Sequence, residues 1–180
     1  MSAKKISTRM QPEIHQSTGE ILASLKKVGL LSEIKDNEKA LASFMKLIRE
    51  SHFKPEHNIL VEGEEGAQMF ILVEGSASVF KSTPGGEPYK VAILKSEMRP
   101  AFGEGGLIGS EKRGATIRTE TACHCLFIER EDFERFASEY PEWALPIYRR
   151  IAQSVMLRLR QTNEDMLLLY NALVSEIRGS

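Results

Sequence analysis

An acid, a cluster of glycines and one arginine lie together in residues 102–117, Phe-Gly-Glu-Gly-Gly-Leu-Ile-Gly-Ser-Glu-Lys-Arg-Gly-Ala-Thr-Ile. Gly103, Gly105, Gly106, Gly109 and Gly114 put five of the chain's 13 glycines within twelve residues. Glycine at that density frees the backbone and lets its N–H groups approach a ligand closely. Successive N–H groups in such a turn form an anion-binding concavity. Arg113 adds a permanently charged fork of donors that matches phosphate oxygens. Glu104 would repel a phosphate but is a good acceptor for a sugar hydroxyl. Phosphate and hydroxyl on one compact ligand point to a nucleotide.

The elements around this stretch follow from periodicity. Residues 1–18 are polar and unpatterned and read as a flexible arm. Ile21, Leu22, Leu25, Val28, Leu31 and Ile34 recur at three and four, predicting a helix over 20–34 that Gly29 weakens. A second helix is predicted from Asn37 or Glu38 to Ser51, capped by Asp36 or Asn37. Six short β-branched-rich runs then follow, at 58–62, 68–74, 76–82, 90–94, 115–121 and 123–129, with glycine-rich turns between them. That spacing argues for a sandwich or barrel. Helical periodicity returns at 131–138 and from Pro141 to Ile177. Along the last helix Val155, Leu159, Thr162, Met166, Leu169 and Leu173 step by four and three, a heptad seam with one polar layer. The expected organisation is an arm (1–18), a helical segment (19–57), a β core (58–129) and C-terminal helices (130–180).

The glycine-rich stretch resembles the phosphate-binding cassette of cyclic-nucleotide-binding domains, found in catabolite activator protein, cAMP-dependent kinase regulatory subunits and cyclic-nucleotide-gated channels. The family pattern, F-G-E, a short insert, then R-[AST]-A-[TV], is matched by Phe102-Gly103-Glu104 and Arg113-Gly114-Ala115-Thr116. Leu60-Val61-Glu62-Gly63-Glu64 and Met69–Gly75 match the family's first half, so the resemblance spans residues 25–165. It implies an α+β fold, mainly β: an eight-stranded jelly roll with N-terminal helices and a long C-terminal helix. It also implies that Arg113 meets the cyclic phosphate, that Glu104 accepts from the ribose 2′-hydroxyl, and that the N–H groups of Gly106 and Gly114 complete the site, with Gly103, Gly105 and Ala115 in the cassette. Gly114 directly after the arginine offers no hydroxyl to guanine, which favours cAMP over cGMP. Thr162 and Asn163, in Gln161-Thr162-Asn163-Glu164, resemble the family's base-reading pair on the last helix; Thr162 reads equally well as the polar layer of the heptad seam. The chain departs from the pattern at the loop 96–101 and at Gly105, where an aliphatic residue is usual.

Other chemistries find less support. Cys123 and Cys125 share one strand face and His124 the other, so the triplet cannot converge on a metal; it reads as two core thiols and a surface histidine. A cupin-type metalloenzyme would need clustered histidines, and His15, His52, His57 and His124 contain no H-x-H pair. A formal charge of −1 offers no basic field for nucleic acid or anionic membranes. Arg149, Arg150, Arg158 and Arg160 read as a solvated helix face. Met1-Ser2-Ala3-Lys4-Lys5 has no apolar run behind it and is not expected to act as a secretory signal, and no apolar run is long enough to span a bilayer. The expectation is a cytoplasmic, stand-alone, non-enzymatic receptor for cAMP with no cofactor. It would form a parallel homodimer through the C-terminal helix and engage an unidentified effector protein. The alternative is a jelly-roll interaction module whose site no longer binds nucleotide, with Arg113 and Glu104 paired to each other.

Overall fold

The computed structural model describes residues 17–109 and 112–179. The expected arm therefore lies outside the described residues except for Ser17 and Thr18. Ser17 caps helix α1 (Thr18–Leu25) through a reciprocal capping box with Glu20. The expected single helix over 20–34 instead breaks after Leu25 and resumes as a 3-10 turn at Gly29–Leu31. Helix α2 (Glu38–Met45) starts at Asn37, whose side chain accepts from the Ala40 N–H at 3.0 Å. It stops six residues short of the predicted Ser51, because Arg49–Phe53 forms strand β1. Antiparallel pairing with Cys123–Phe127 overrides the helical period there.

Seven further strands follow: β2 (Asn58–Leu60), β3 (Gln68–Glu74), β4 (Ser76–Ser82), β5 (Pro88–Lys95), β6 (Ala101–Phe102), β7 (Thr116–Thr119) and β8 (Cys123–Glu129). They pair antiparallel in two four-stranded sheets, β1-β8-β3-β6 and β2-β7-β4-β5. This is the expected eight-stranded jelly roll, entered at Arg49 rather than Asn58. Leu60, Phe70, Leu72, Ala77, Phe102, Ile117, Cys123 and Cys125 fill the space between the sheets. The opposite face of the first sheet carries Met69, Ile71, Val73, Leu126 and Ile128, covered by Leu25, Leu41, Phe44, Phe133, Phe136 and Ile147 from the helices.

Helix α4 (Arg130–Glu139) continues directly from β8, and Pro141 starts α5 (Pro141–Gly179). Ala144, Ile147 and Ile151 anchor α5 in the helical core. Beyond Ile151 the helix runs outward, with Val155, Leu159, Met166, Leu169 and Leu173 all about half exposed or more. Among the described residues no helix is long and apolar enough to cross a membrane.

His124 departs from its expected place at the surface, because it shares the strand face of Leu126 and Ile128, the face on which the helices pack. Its ring is buried, stacks on His52 at 4.3 Å and has Nε2 2.9 Å from Glu50. Burial first, then the neighbouring His52, holds the imidazole below its usual value, against the pull of Glu50 and Glu74. The folded chain therefore disfavours protonated His124, while the unfolded chain takes the proton near pH 6.5. Stability from this group is present above about pH 6.5 and is lost as the pH falls. The urea midpoint should drop between pH 7 and pH 5, and His124→Gln should flatten that slope; an unchanged slope in the variant would show that other groups set it.

Candidate functional site

The cassette is a left-handed turn, a single helical turn and a buried arginine. Gly103 has φ +73°, and helix α3 (Gly105–Ile108) follows Glu104. The Arg113 backbone is fixed to the turn after β2: its N–H donates to Glu64 O at 2.7 Å, and its carbonyl accepts from Gly63 N–H at 2.8 Å. The side chain then runs inward and is 8% exposed. Nη1 donates to Gly103 O at 2.9 Å and Nη2 to Gln68 O at 2.8 Å.

No carboxylate among the described residues pairs with Arg113. Burial, then the like charge of Arg130, lowers its pKa. Both influences would be relieved by an anion, and three of its five N–H donors remain beyond the two bonds described. The guanidinium fits here because Gly66 has no side chain: a Cβ there would stand 2.4 Å from Arg113 Nε. Gly114 and Ala115 follow in the segment entering β7, and their N–H groups make no backbone hydrogen bond among the described residues.

Glu104 points elsewhere. It lines a cavity of about 570 Å³ between the 3-10 turn at Gly29–Leu31, the end of β5 with the loop after it, and α5. Arg113 does not line that cavity. The pairing of Glu104 with Arg113 expected of a degenerate site is not what the structure shows: Glu104 pairs with Arg158 of α5. Lys95 and Arg99 share the cavity wall, as do Arg150, Gln153 and Ser154 from α5.

The structure thus brings together Gly103, Gly106 and Arg113, with Gly114 and Ala115 next in sequence, and places Glu104 on the adjoining cavity. Gly105 is exposed on α3. Thr162 and Asn163 are exposed and do not line the cavity. The Thr162 hydroxyl instead donates to Arg158 O, one turn back. From Leu157, the last lining residue of α5, five residues of helix carry Thr162 about 7.5 Å further along the axis.

Sequence reasoning missed Gly66, Gln68, Arg130 and Arg158. Arg130 Nε donates to Gly106 O at 2.7 Å, tying the cassette to the start of α4. Nor are the α5 arginines simply a solvated face: Arg149 and Arg150 both reach Glu33, and Arg158 reaches Glu104. The Cys123 and Cys125 thiols are raised in pKa, chiefly by burial. No group of three or more His, Cys, Asp or Glu side chains among the described residues could hold a metal.

The profile of the cyclic nucleotide-binding domain matches residues 50–140, from β1 through α4. The chain belongs to that family. A CRP-like cAMP-activated global transcriptional regulator of Mycobacterium tuberculosis (strain ATCC 25618 / H37Rv) is 25% identical over 128 residues, covering 71% of this chain and 54% of the regulator. The cGMP-dependent protein kinase 2 of Homo sapiens is 32% identical over 121 residues, 66% of this chain and 15% of the kinase. A solved cyclic nucleotide-binding domain from Methylobacillus flagellatus KT superposes with a TM-score of 0.69 at 17% identity, covering 83% of this chain and 82% of that one. The chain therefore spans about half the length of the mycobacterial regulator and a small part of the kinase.

In this cyclic nucleotide-binding domain the glycine opposite the arginine is a packing requirement. Gly66→Ala should displace the Arg113 guanidinium and cost about 1–3 kcal/mol in overpacking, read as a lower urea midpoint. An alanine variant as stable as the parent would show that Arg113 has room to move and is not held in place by Gly66.

Proposed function

We propose that this chain is a cyclic-nucleotide receptor that takes cAMP, does no catalysis of its own, and passes ligand binding through α5 to a partner. The observation that carries this reading is Arg113: a buried guanidinium with no carboxylate partner among the described residues, set among backbone groups of the cassette. Burying such a charge is costly unless something compensates it, and a cyclic phosphate supplies the missing negative charge. The open N–H groups of Gly114 and Ala115 suit the same anion, and Glu104 beside the cavity suits the ribose hydroxyl. The lack of a hydroxyl at Gly114 favours adenine over guanine. The base would extend into the cavity, toward Gln153 and Ser154 rather than Thr162 and Asn163.

The output side of the proposal rests on α5. Val155, Leu159, Met166, Leu169 and Leu173 present an exposed apolar seam, which suits a parallel pairing with a second copy in the same register. Ligand at the cassette would then bias the position of the helix, and through it the dimer and an effector protein. The cytoplasm, where cAMP is made and read, is the compartment this role requires.

Calorimetric titration with cAMP and cGMP, paired with thermal unfolding, tests the proposal. cAMP at 100 times Kd should add about 2.7 kcal/mol, a rise in Tm of roughly 5–10 °C for a domain of this size. Arg113→Ala should weaken cAMP binding about 10- to 150-fold, the value of a charge-assisted contact. The same variant should also unfold more easily, because it takes one hydrogen bond from Gln68 O and one from Gly103 O, which keeps only the Gly106 N–H. No heat and no shift with either nucleotide at millimolar concentration would leave the jelly roll as an interaction module without a nucleotide ligand.

A further inference from the structure

Glu104 has two claims on it. As the residue at the cavity rim it is the acceptor for the ribose 2′-hydroxyl, and that role rests on the receptor reading above. In the structure its carboxylate is held by Arg158 of α5. Only 12% of the Glu104 side chain is exposed, so the carboxylate has little open surface on which to take a second partner.

Arg158 is built to reach it. Ser154, one turn earlier on α5, accepts from the same Nη2 at 3.2 Å, and Thr162, one turn later, donates to the Arg158 carbonyl at 2.9 Å. Ser154 and Leu157 line the cavity into which Glu104 faces, so the guanidinium crosses from α5 to the cassette at that cavity's edge. Past Ile151 the helix is exposed, and this pair ties the exposed stretch to the cassette. The Arg158 side chain is 63% exposed, so once displaced it returns to water at little cost.

We propose that Arg158 and the ribose 2′-hydroxyl compete for Glu104, so that seating the nucleotide unlatches α5 from the cassette. The phosphate, held at Arg113, supplies affinity. The 2′-hydroxyl, acting at Glu104, supplies the signal. A cyclic nucleotide lacking that hydroxyl would bind through its phosphate and leave the latch closed.

The test compares the full chain with Arg158→Gln, using cAMP and 2′-deoxy-cAMP as probes. Affinity is read by calorimetry, and α5 by amide hydrogen exchange over residues 152–165. With the competitor removed, Arg158→Gln should bind cAMP tighter, by about two- to fivefold given the exposure of the pair. Its exchange over 152–165 should already be fast without nucleotide. In the parent chain cAMP should speed exchange there and 2′-deoxy-cAMP should not. Equal or weaker cAMP binding by the variant overturns the competition, as does equal acceleration by the two nucleotides in the parent. If neither protein binds cAMP or cGMP at millimolar concentration, the receptor reading itself fails and this competition falls with it. That outcome is distinct from failure of the latch alone, which shows as nucleotide binding of equal strength in both proteins.

Discussion

A buried guanidinium held by two backbone carbonyls, with no carboxylate partner among the described residues, is the constraint around which the rest of the site is arranged. Arg113 can stay inside only because two backbone carbonyls accept from it, Gly103 O and Gln68 O. Those carbonyls converge only if β6 lies beside β3, a pairing set by Phe70 opposite Phe102, whose rings stack at 5.6 Å. The left-handed turn at Gly103 then aims the first carbonyl inward, and the missing side chain of Gly66 leaves room for the fork. Remove any of these and the arginine must move or its charge goes uncompensated. A buried cation whose described partners are backbone dipoles is preorganised for an anion, and on the proposed reading fold and function meet at this residue.

From that centre two ties run to the helices. Arg130 joins Gly106 O to the beginning of α4, and α4 packs on α5 through Phe133 against Tyr148, an edge-on contact at 5.2 Å. Arg158 joins Glu104 directly to α5. The first tie holds the short cassette helix by its backbone and is partly buried. The second lies at the rim, between a largely covered carboxylate and a largely exposed arginine. A contact of the second kind is cheap to exchange, whereas the first anchors what must stay still. On the proposed reading, the exposed apolar length of α5 beyond Ile151 is the part of the molecule that responds.

Much of this was legible in the sequence. Three strands, Gln68–Glu74, Ser76–Ser82 and Cys123–Glu129, fall where alternation and turn residues put them, and Asn37, one of the two expected caps, caps α2. What escaped depended on partners distant in sequence. Arg49–Phe53 carries a helix-compatible pattern and becomes a strand because β8 is there to pair with it. The two residues of β6 are too few to give any periodic signal. His124 was misplaced because strand alternation tells which face a residue takes and not what covers that face. In the site, the glycines and Arg113 stood out by type and density, but nothing local marks Gly66 as the glycine against Arg113. The Glu104–Arg158 pair joins residues 54 apart, and only the path of α5 brings them together. Thr162 lies past the residues that line the cavity, carried there by the rise of the helix.

On the proposed reading the cassette, rather than the neighbouring cavity alone, receives the ligand's anion. A structure of the chain with cAMP tests this most directly. The phosphate should lie within hydrogen-bonding distance of Arg113 and of the N–H groups of Gly106 and Gly114, with the ribose 2′-hydroxyl on Glu104. A nucleotide lodged only between the 3-10 turn, the loop after β5 and α5, with its phosphate on Lys95 or Arg99 and Arg113 still bound only to its two carbonyls, would contradict it.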